Sequence, residues 1–287
     1  MAEPTAFFAI LIALVTAYTT WQGFQSPFLF ETYVFEPRQV LRNKQYVRMV
    51  SSGFLHVNWM HYAFNMFSLY VFGKGIELHL GATPFLVIYF SSIVGGNGLS
   101  LWLHRHHEYR AVGASGGVCG VIFASMFLFP GGGVRFLLLP ITISASVYAV
   151  LFIVISVFGM RSRTSRVGHD AHLGGALVGL LVATAMYPNI LPASPVLYAT
   201  VVFLTLLAIG YCYAFPMYLQ LRSPWSRGHW LDVWSRMRRA RDASASRTED
   251  RQLDDLLDKV SEQGIHSLST AERKKLESIS KRRQRRR

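Results

Sequence analysis

One serine and one histidine inside apolar stretches are the residues best suited to chemistry. Ser115 lies in a Gly-Ala-Ser-Gly sequence at 113–116, about four residues into one apolar stretch. His172 lies about four residues into another apolar stretch. Two crossings separate the stretches, so both helices would enter from the same face and, at about 1.5 Å per residue, place the two side chains at equal depth. Because a neutral imidazole activates a serine hydroxyl, the pair predicts a hydrolase with Ser115 as nucleophile and His172 as base. The alternative for the glycine-flanked serine is a helix-packing role.

His61 and Asn65 form a second polar pair early in another apolar stretch. They are four residues apart and share one face of a helix, so both can point at one spot. Acyl transfer develops a negatively charged oxygen that needs such donors. We therefore predict that His61, Asn65 and the backbone N–H of Ser115 form an oxyanion hole. For either side chain alone, an interhelical hydrogen bond would be the better explanation.

Asp170 is the nearest carboxylate to His172 in the sequence. Two positions correspond to about 200° around a helix, so its side chain should point away from that of His172. The sequence therefore predicts a Ser-His dyad, with Asp170 and His169 at the water interface.

The other candidate ligands give no metal site. His104, His106 and His107 have no acidic or cysteine partner at ligand spacing, and an exposed interfacial loop explains them better. Cys119 and Cys212 are isolated in apolar stretches, which indicates neither a disulfide framework nor a metal site. We predict no cofactor and no metal.

The elements that must position these residues are membrane helices. Hydrophobic residues make up 51% of the chain and charged residues only 16%, and the charges are segregated into clusters and the last quarter. Stretches of about 18 to 22 apolar residues match the hydrocarbon thickness, and only helices satisfy their backbone groups there. Seven spans are predicted: 6–24, 59–78, 84–103, 112–129, 136–158, 171–187 and 196–219. The fold class is an all-α transmembrane bundle, in which glycines at 116, 120, 175 and 179 let helices approach closely.

The chain divides into a transmembrane domain, residues 1–219, and a basic tail, residues 220–287. The tail has 18 basic and 10 acidic residues, most of the net charge of +13. Aromatic and basic residues just after the last span favour contacts with anionic lipid headgroups over nucleic-acid binding, and no nucleic-acid partner is expected. An apolar stripe over 253–260 predicts a short helix, and a capping box at 269–272 predicts a second one. Self-packing, partial disorder and a protein partner all remain open for this pair.

The charge distribution bears on orientation. The first, third and fifth connections between spans carry nine Lys or Arg residues, so the positive-inside rule places them, and the opening of the Ser115 site, in the cytoplasm. If the last span is instead re-entrant or interfacial, the tail and the site lie on opposite sides.

These motifs together resemble the rhomboid family of intramembrane serine proteases, over about residues 46–179. The resemblance is carried by the order and spacing of several motifs: His56-x4-His61-x3-Asn65, Gly113-Ala114-Ser115-Gly116, Ala171-His172-x2-Gly175-x3-Gly179, and Glu77, Gly81, Phe85 and Tyr89.

The resemblance implies a fold and residue roles. The implied fold is a six-helix core, about residues 6–187, with an additional seventh span. Ser115 would be the nucleophile, His172 the general base, His61 and Asn65 oxyanion donors, and His56 structural. Family members cut transmembrane segments of other membrane proteins without metal or ATP.

The chain departs from the family pattern in three respects. Cys119 stands where an aromatic residue often packs on the histidine, so we expect the imidazole to be positioned more loosely or by another ring. Tyr46, Val47 and Arg48 stand in place of a Trp-Arg pair in the first connection. The family commonly opens its site away from the cytoplasm, opposite to the prediction from charge.

The preferred interpretation is a multi-pass protein of a bacterial inner membrane that hydrolyses peptide bonds in or near transmembrane segments of its substrates. One alternative is a non-catalytic relative that binds transmembrane clients. The other is a small-solute transporter, but we find no inverted repeat or interrupted helix pair in the sequence.

Overall fold

The computed structural model describes residues 5–106, 108–131, 133–135, 142–161, 168–215, 253–262 and 264–276. The chain forms two compact units, Met1–Ser226 and Arg227–Arg287.

The first unit is a bundle of long helices, as the sequence predicts. Each of the seven predicted spans overlaps one long helix: α1 (Phe7–Gln25), α5 (Trp59–Leu80), α6 (Ala82–His104), α7 (Ser115–Leu128), α8 (Ala145–Arg161), α9 (His169–Met186) and α11 (Pro195–Ala214). A four-residue helix α10 (Ile190–Ala193) precedes α11.

Length and composition identify the helices best suited to a bilayer. Among the described residues, α1, α6 and α11 are long and apolar enough to cross a membrane, and Ser115–Leu128 and Ala145–Met160 are shorter apolar helices. Many large apolar side chains on these helices are exposed, including Phe158, Phe203 and Leu14. An apolar outer surface of this kind suits a lipid environment.

Polar side chains define how α1 and α5 begin and meet. Asn58 caps α5, because its Oδ1 accepts a hydrogen bond from His61 N at 2.7 Å. At the other end of α5, the Glu77 carboxylate accepts from Phe8 N at 2.7 Å and from Ala9 N at 3.0 Å. These N–H groups lie in the first turn of α1 and have no intrahelical acceptor, so Glu77 anchors the start of α1 against α5.

Glycines bring α6, α7 and α9 into backbone contact at the centre of the unit. A Cβ at Gly175 would collide with the carbonyl of Gly116, and one at Gly179 would collide with the backbone of Gly120. The predicted packing role of these glycines is confirmed. The backbones of α7 and α9 are therefore in direct contact, which places Ser115 and His172 on facing helices.

The first connection is folded into short pieces rather than left as a linker. It contains α2 (Pro27–Tyr33), α3 (Pro37–Arg42), α4 (Arg48–Ser51) and a 3-10 turn, Ser52–Phe54. The buried Arg48 organises it by donating to Glu31 O at 2.8 Å and Val34 O at 2.6 Å. Satisfied carbonyls allow an irregular segment to be buried.

The predicted span 136–158 is wrong at its start. Helix α8 begins only at Ala145, after a strand β2 (Thr142–Ser144) that pairs antiparallel with β1 (Gly133–Arg135). The β-branched Thr142 and Ile143 favour an extended backbone. The hydroxyl of Ser144 accepts from Val147 N at 3.4 Å, so Ser144 acts as an N-terminal cap.

The second unit contains two described helices, at 253–262 and 270–276. The predicted capping box is confirmed: Ser269 N donates to Glu272 Oε2 at 2.7 Å, and Glu272 N donates to Ser269 Oγ at 3.3 Å. Lys259 joins the two helices through Glu272 at 2.9 Å. The predicted headgroup-level segment after residue 215 lies outside the described residues.

Candidate active site

Ser115 is the first residue of α7, and not four residues inside the helix as predicted. Gly113 adopts φ of 131°, which favours glycine, and the helix begins after Ala114. A hydrogen bond ties this turn to the first connection, because Gly113 N donates to Ser52 O at 3.0 Å. The first-turn N–H groups of a helix have no intrahelical acceptor and carry partial positive charge, so they form a natural anion site beside the Ser115 hydroxyl.

The structure brings Ser115 and His172 together. His172 lies in the first turn of α9, and its Nε2 is 2.7 Å from Ser115 Oγ, within hydrogen-bond distance. With Nδ1 protonated, Nε2 can accept the hydroxyl proton, which is the geometry of a nucleophile and its base. The two side chains come from helices whose backbones touch.

The aromatic ring beside His172 comes from α8, a helix that the sequence predicted but did not connect with the Ser115–His172 pair. The ring of Phe152, on α8, stacks on His172 with centroids 6.5 Å apart and an interplanar angle of 28°. Phe152 also packs edge-to-face on Phe123 of α7 at 5.0 Å. Cys119 is buried, and its thiol offers no ring to the imidazole. The ring expected at position 119 is thus replaced by Phe152, a contact that an apolar stretch could not reveal.

His61 and Asn65 lie on one face of α5, as predicted. His61 lies against the turn before Ser115, because a Cβ on Gly113 would be 2.7 Å from His61 Cε1. The buried His61 Nδ1 has no hydrogen-bond partner within the described parts of the chain. Asn65 is buried, and its Nδ2 donates to His61 O at 2.8 Å. That bond uses one of two amide hydrogens, so Asn65 retains a donor.

His56 supports the serine turn from the first connection. Burial lowers the pKa of His56 to about 3, so its ring is neutral near pH 7. Its Nε2 accepts from Ala114 N at 3.4 Å, which leaves Nδ1 protonated and able to donate to Thr20 Oγ1 at 3.3 Å. His56 therefore links α1 to the turn that carries Ser115.

Two predictions about polar neighbours are wrong. Asp170 is not at the water interface but buried, and His104 is not in an exposed loop but is the buried last residue of α6. The burial of each side chain is explained by its contact with the other, since His104 Nε2 lies 3.2 Å from Asp170 Oδ2. A buried carboxylate requires such a partner. His169 is partly exposed and packs edge-to-face on His172 at 5.8 Å.

The described residues contain no group of three or more His, Cys, Asp or Glu side chains that could hold a metal ion. His107 lies outside these residues.

Comparison with known families decides the wider assignment. The Rhomboid domain model matches residues 43–189, a range that contains α5, α6, α7, α9 and the Ser115–His172 pair. The chain belongs to the rhomboid family. The rhomboid resemblance and the membrane-bundle fold class predicted from the sequence are confirmed, and the chain is a multi-pass membrane protein. A second model, a family of unknown function (DUF6576), matches residues 244–282 in the second unit.

The relatives include mitochondrial proteins and a bacterial one. Rhomboid protein 1, mitochondrial, of Saccharomyces cerevisiae is 29% identical over 182 residues, which cover 61% of this chain and 51% of the relative. The human presenilin-associated rhomboid-like protein, mitochondrial, is 32% identical over 140 residues, covering 47% and 37%. Rhomboid protease GluP of Bacillus subtilis is 26% identical over 166 residues, covering 58% and 31%. The chain thus spans about half or less of each relative, and mitochondrial relatives give no support to a bacterial inner membrane.

Proposed function

We propose that this rhomboid hydrolyses peptide bonds in or near transmembrane segments of other membrane proteins, with Ser115 as nucleophile and His172 as general base. The observation that carries the proposal is the 2.7 Å contact between His172 Nε2 and Ser115 Oγ. The Bacillus subtilis relative is named a rhomboid protease, which supports the same chemistry.

The reaction divides into two acyl transfers. In the first, Ser115 Oγ attacks the substrate carbonyl carbon while its proton passes to His172 Nε2. The tetrahedral intermediate then expels the amine, which takes the proton from His172, and an acyl-enzyme is left. In the second, water loses a proton to His172 and attacks the ester, and the returned proton restores Ser115.

The oxyanion would form at the N-terminus of α7. The Ser115 N–H, His61 and the second amide hydrogen of Asn65 are the donors that we assign to it. His61 Nδ1 is buried without a partner among the described residues, as expected of a group that pairs only with substrate. Loss of one such donor raises the barrier by about 3 kcal/mol, so Asn65→Ala should lower kcat about a hundredfold.

The Asp170 carboxylate is engaged by His104, so the mechanism uses a dyad. Substrates with small or helix-weakening residues near the membrane surface fit this site, because an intact helix hides its peptide bonds. The anionic lipid contacts of the basic tail and the side on which the site opens stay predictions.

The test compares wild type, Ser115→Ala and His172→Ala in lipid with a susceptible transmembrane substrate, with products mapped. Both variants should lose more than about a thousandfold in cleavage rate, and only wild type should react with a fluorophosphonate at Ser115. A Ser115→Ala protein that cleaves at the wild-type rate would overturn the proposal. Client binding that is equal in wild type and Ser115→Ala, with no cleavage by either, would favour the non-catalytic alternative.

A further inference from the structure

Three polar side chains, two of them buried and one partly buried, form a trio next to the Ser115–His172 pair that has no role in the mechanism above. It consists of His104 at the end of α6, Tyr109 in the segment between α6 and α7, and Asp170 in the first turn of α9. Asp170 and His104 are 4% and 7% exposed. Ionisable side chains at this depth are costly and need a reason to be kept.

One oxygen of the Asp170 carboxylate accepts a hydrogen bond, and the other lies at ion-pair distance from a histidine ring. Tyr109 OH donates to Oδ1 at 3.1 Å, and His104 Nε2 lies 3.2 Å from Oδ2. The rings of His104 and Tyr109 stack with centroids 3.8 Å apart and an interplanar angle of 9°. Burial and the Asp170 carboxylate raise the pKa of Tyr109 well above its ordinary value, so its hydroxyl stays protonated and donates.

The trio joins the two chain segments that carry the reacting groups. Tyr109 is six residues before Ser115, and Asp170 is two residues before His172. Other contacts hold the segment before Ser115 to the first connection: Ala111 pairs with Phe35, and Gly113 N bonds to Ser52 O. The Tyr109–Asp170 bond instead ties that segment to α9.

The reacting pair lies between two attachments of α7 to α9. Deeper in the bundle, the backbones meet at Gly116 and Gly175. Towards the start of α9, the Tyr109–Asp170 hydrogen bond forms the second attachment, before Ser115 and before His172 in the chain. Two attachments on opposite sides of a contact restrict rotation as well as separation, and reacting groups must be held within a fraction of an ångström.

We propose that the Asp170 carboxylate, with Tyr109 and His104, is a clamp that sets the position of His172 relative to Ser115. The three side chains are positioning residues, because they act through the segments that carry the reacting atoms. The proposal rests on the proposed function for its kinetic consequences, but not for its structural ones.

The test uses the full chain in lipid with three variants. Tyr109→Phe removes one hydroxyl and keeps the stacked ring. It should lower kcat and the rate of fluorophosphonate labelling about tenfold, with KM changed less than about twofold. Asp170→Ala should lower kcat about a hundredfold, whereas Asp170→Asn, which still accepts from Tyr109, should recover most of that loss. Tyr33→Phe, at an exposed tyrosine of α2, is the control and should match wild type.

Hydrogen–deuterium exchange tests the clamp independently of whether the protein is a protease. Tyr109→Phe should raise exchange at 109–116 and 168–174 together and leave α1 unchanged, whether or not the protein is a protease. A wild type that neither cleaves nor labels would defeat the proposed function, and the exchange result would still decide the clamp. The clamp is overturned if Tyr109→Phe leaves kcat and exchange at wild-type values, or if the variants lose activity only in proportion to their loss of folded protein.

Discussion

The Ser115–His172 pair is held from two sides by different physics. Deep in the bundle, α7 and α9 meet through glycine backbones at Gly116 and Gly175. Around the first connection, the support comes from two buried arginines: Arg48 donates to backbone carbonyls, and Arg110 forms ion pairs with Glu31 and Glu36. Lipid offers no hydrophobic drive between helices, so close van der Waals packing must hold the first region, whereas ion pairs and charge-assisted hydrogen bonds hold the second. We therefore expect added side-chain volume to destabilise the first region and loss of a buried charge to destabilise the second.

The glycine contact should give the largest effect. In Gly175→Val the new side chain collides with the carbonyl of Gly116, a backbone atom that cannot move aside. We expect a loss of about 3 kcal/mol in free energy of unfolding and of more than about a hundredfold in cleavage rate. Denaturant titration in micelles and the cleavage assay measure the two losses.

Gly98→Ala is the matched control for Gly175→Val. Gly98 is also helical, but no atom lies within 4 Å of its added Cβ. The stability change should stay below about 1 kcal/mol, with activity retained. Equal effects at both positions would contradict close packing as the source of stability.

The serine turn should give the next largest effect. Gly113→Ala combines a left-handed φ of 131° with a Cβ only 2.7 Å from His61 Cε1. We expect kcat to fall about thirtyfold, which corresponds to about 2 kcal/mol of strain and displacement. Gly131→Ala, at φ of 97° with open space around it, isolates the backbone strain and should leave kcat near the wild-type value. A similar loss of kcat in both variants would refute the role of the His61 collision.

The charged region should respond to loss of Arg110. Its side chain is 6% exposed, bonds to Glu31 at 3.0 Å and pairs with Glu36 at 3.3 Å. Arg110→Ala removes the ion-pair partner of two carboxylates and should cost about 2 kcal/mol in free energy of unfolding. Arg38→Ala breaks an exposed pair with Glu108 and should cost less than about 1 kcal/mol. If the two variants unfolded alike, burial would not be what gives Arg110 its importance.

The smallest effect concerns the ring on the imidazole. Phe152→Leu keeps the apolar volume but removes the stacking on His172, so kcat should fall about fivefold with KM unchanged. Phe152→Tyr should restore kcat, and Phe158→Leu, at a 68% exposed position of the same helix, should have no effect. If Phe152→Leu kept the wild-type kcat, contacts other than the Phe152 ring would have to position the His172 imidazole.

Much of the fold and the candidate site was predictable from the sequence. Long apolar stretches predict helices because unpaired backbone groups cannot exist in lipid, and helices form at all seven stretches. The motif spacing correctly brought Ser115, His172 and His61 to one end of the bundle. Their catalytic roles stay proposals.

The errors come from interactions that local patterns do not encode. An apolar composition cannot show that Ser144 caps α8 and delays its start to Ala145. Helical geometry correctly predicted that the Asp170 side chain points away from His172. It could not predict which neighbouring side chain Asp170 would meet instead. That neighbour is His104, so a side chain assigned to water is buried instead.

By itself, the sequence determined that this is a helical membrane protein in which Ser115 and His172 lie near the starts of two helices. It could do so because apolar length, small-residue spacing and the cost of polar groups in lipid are properties of each segment alone. Only the tertiary structure decided which ring packs on His172 and which groups hold Asp170. Those answers depend on how separate helices rotate about their own axes, and that rotation is set by packing between helices.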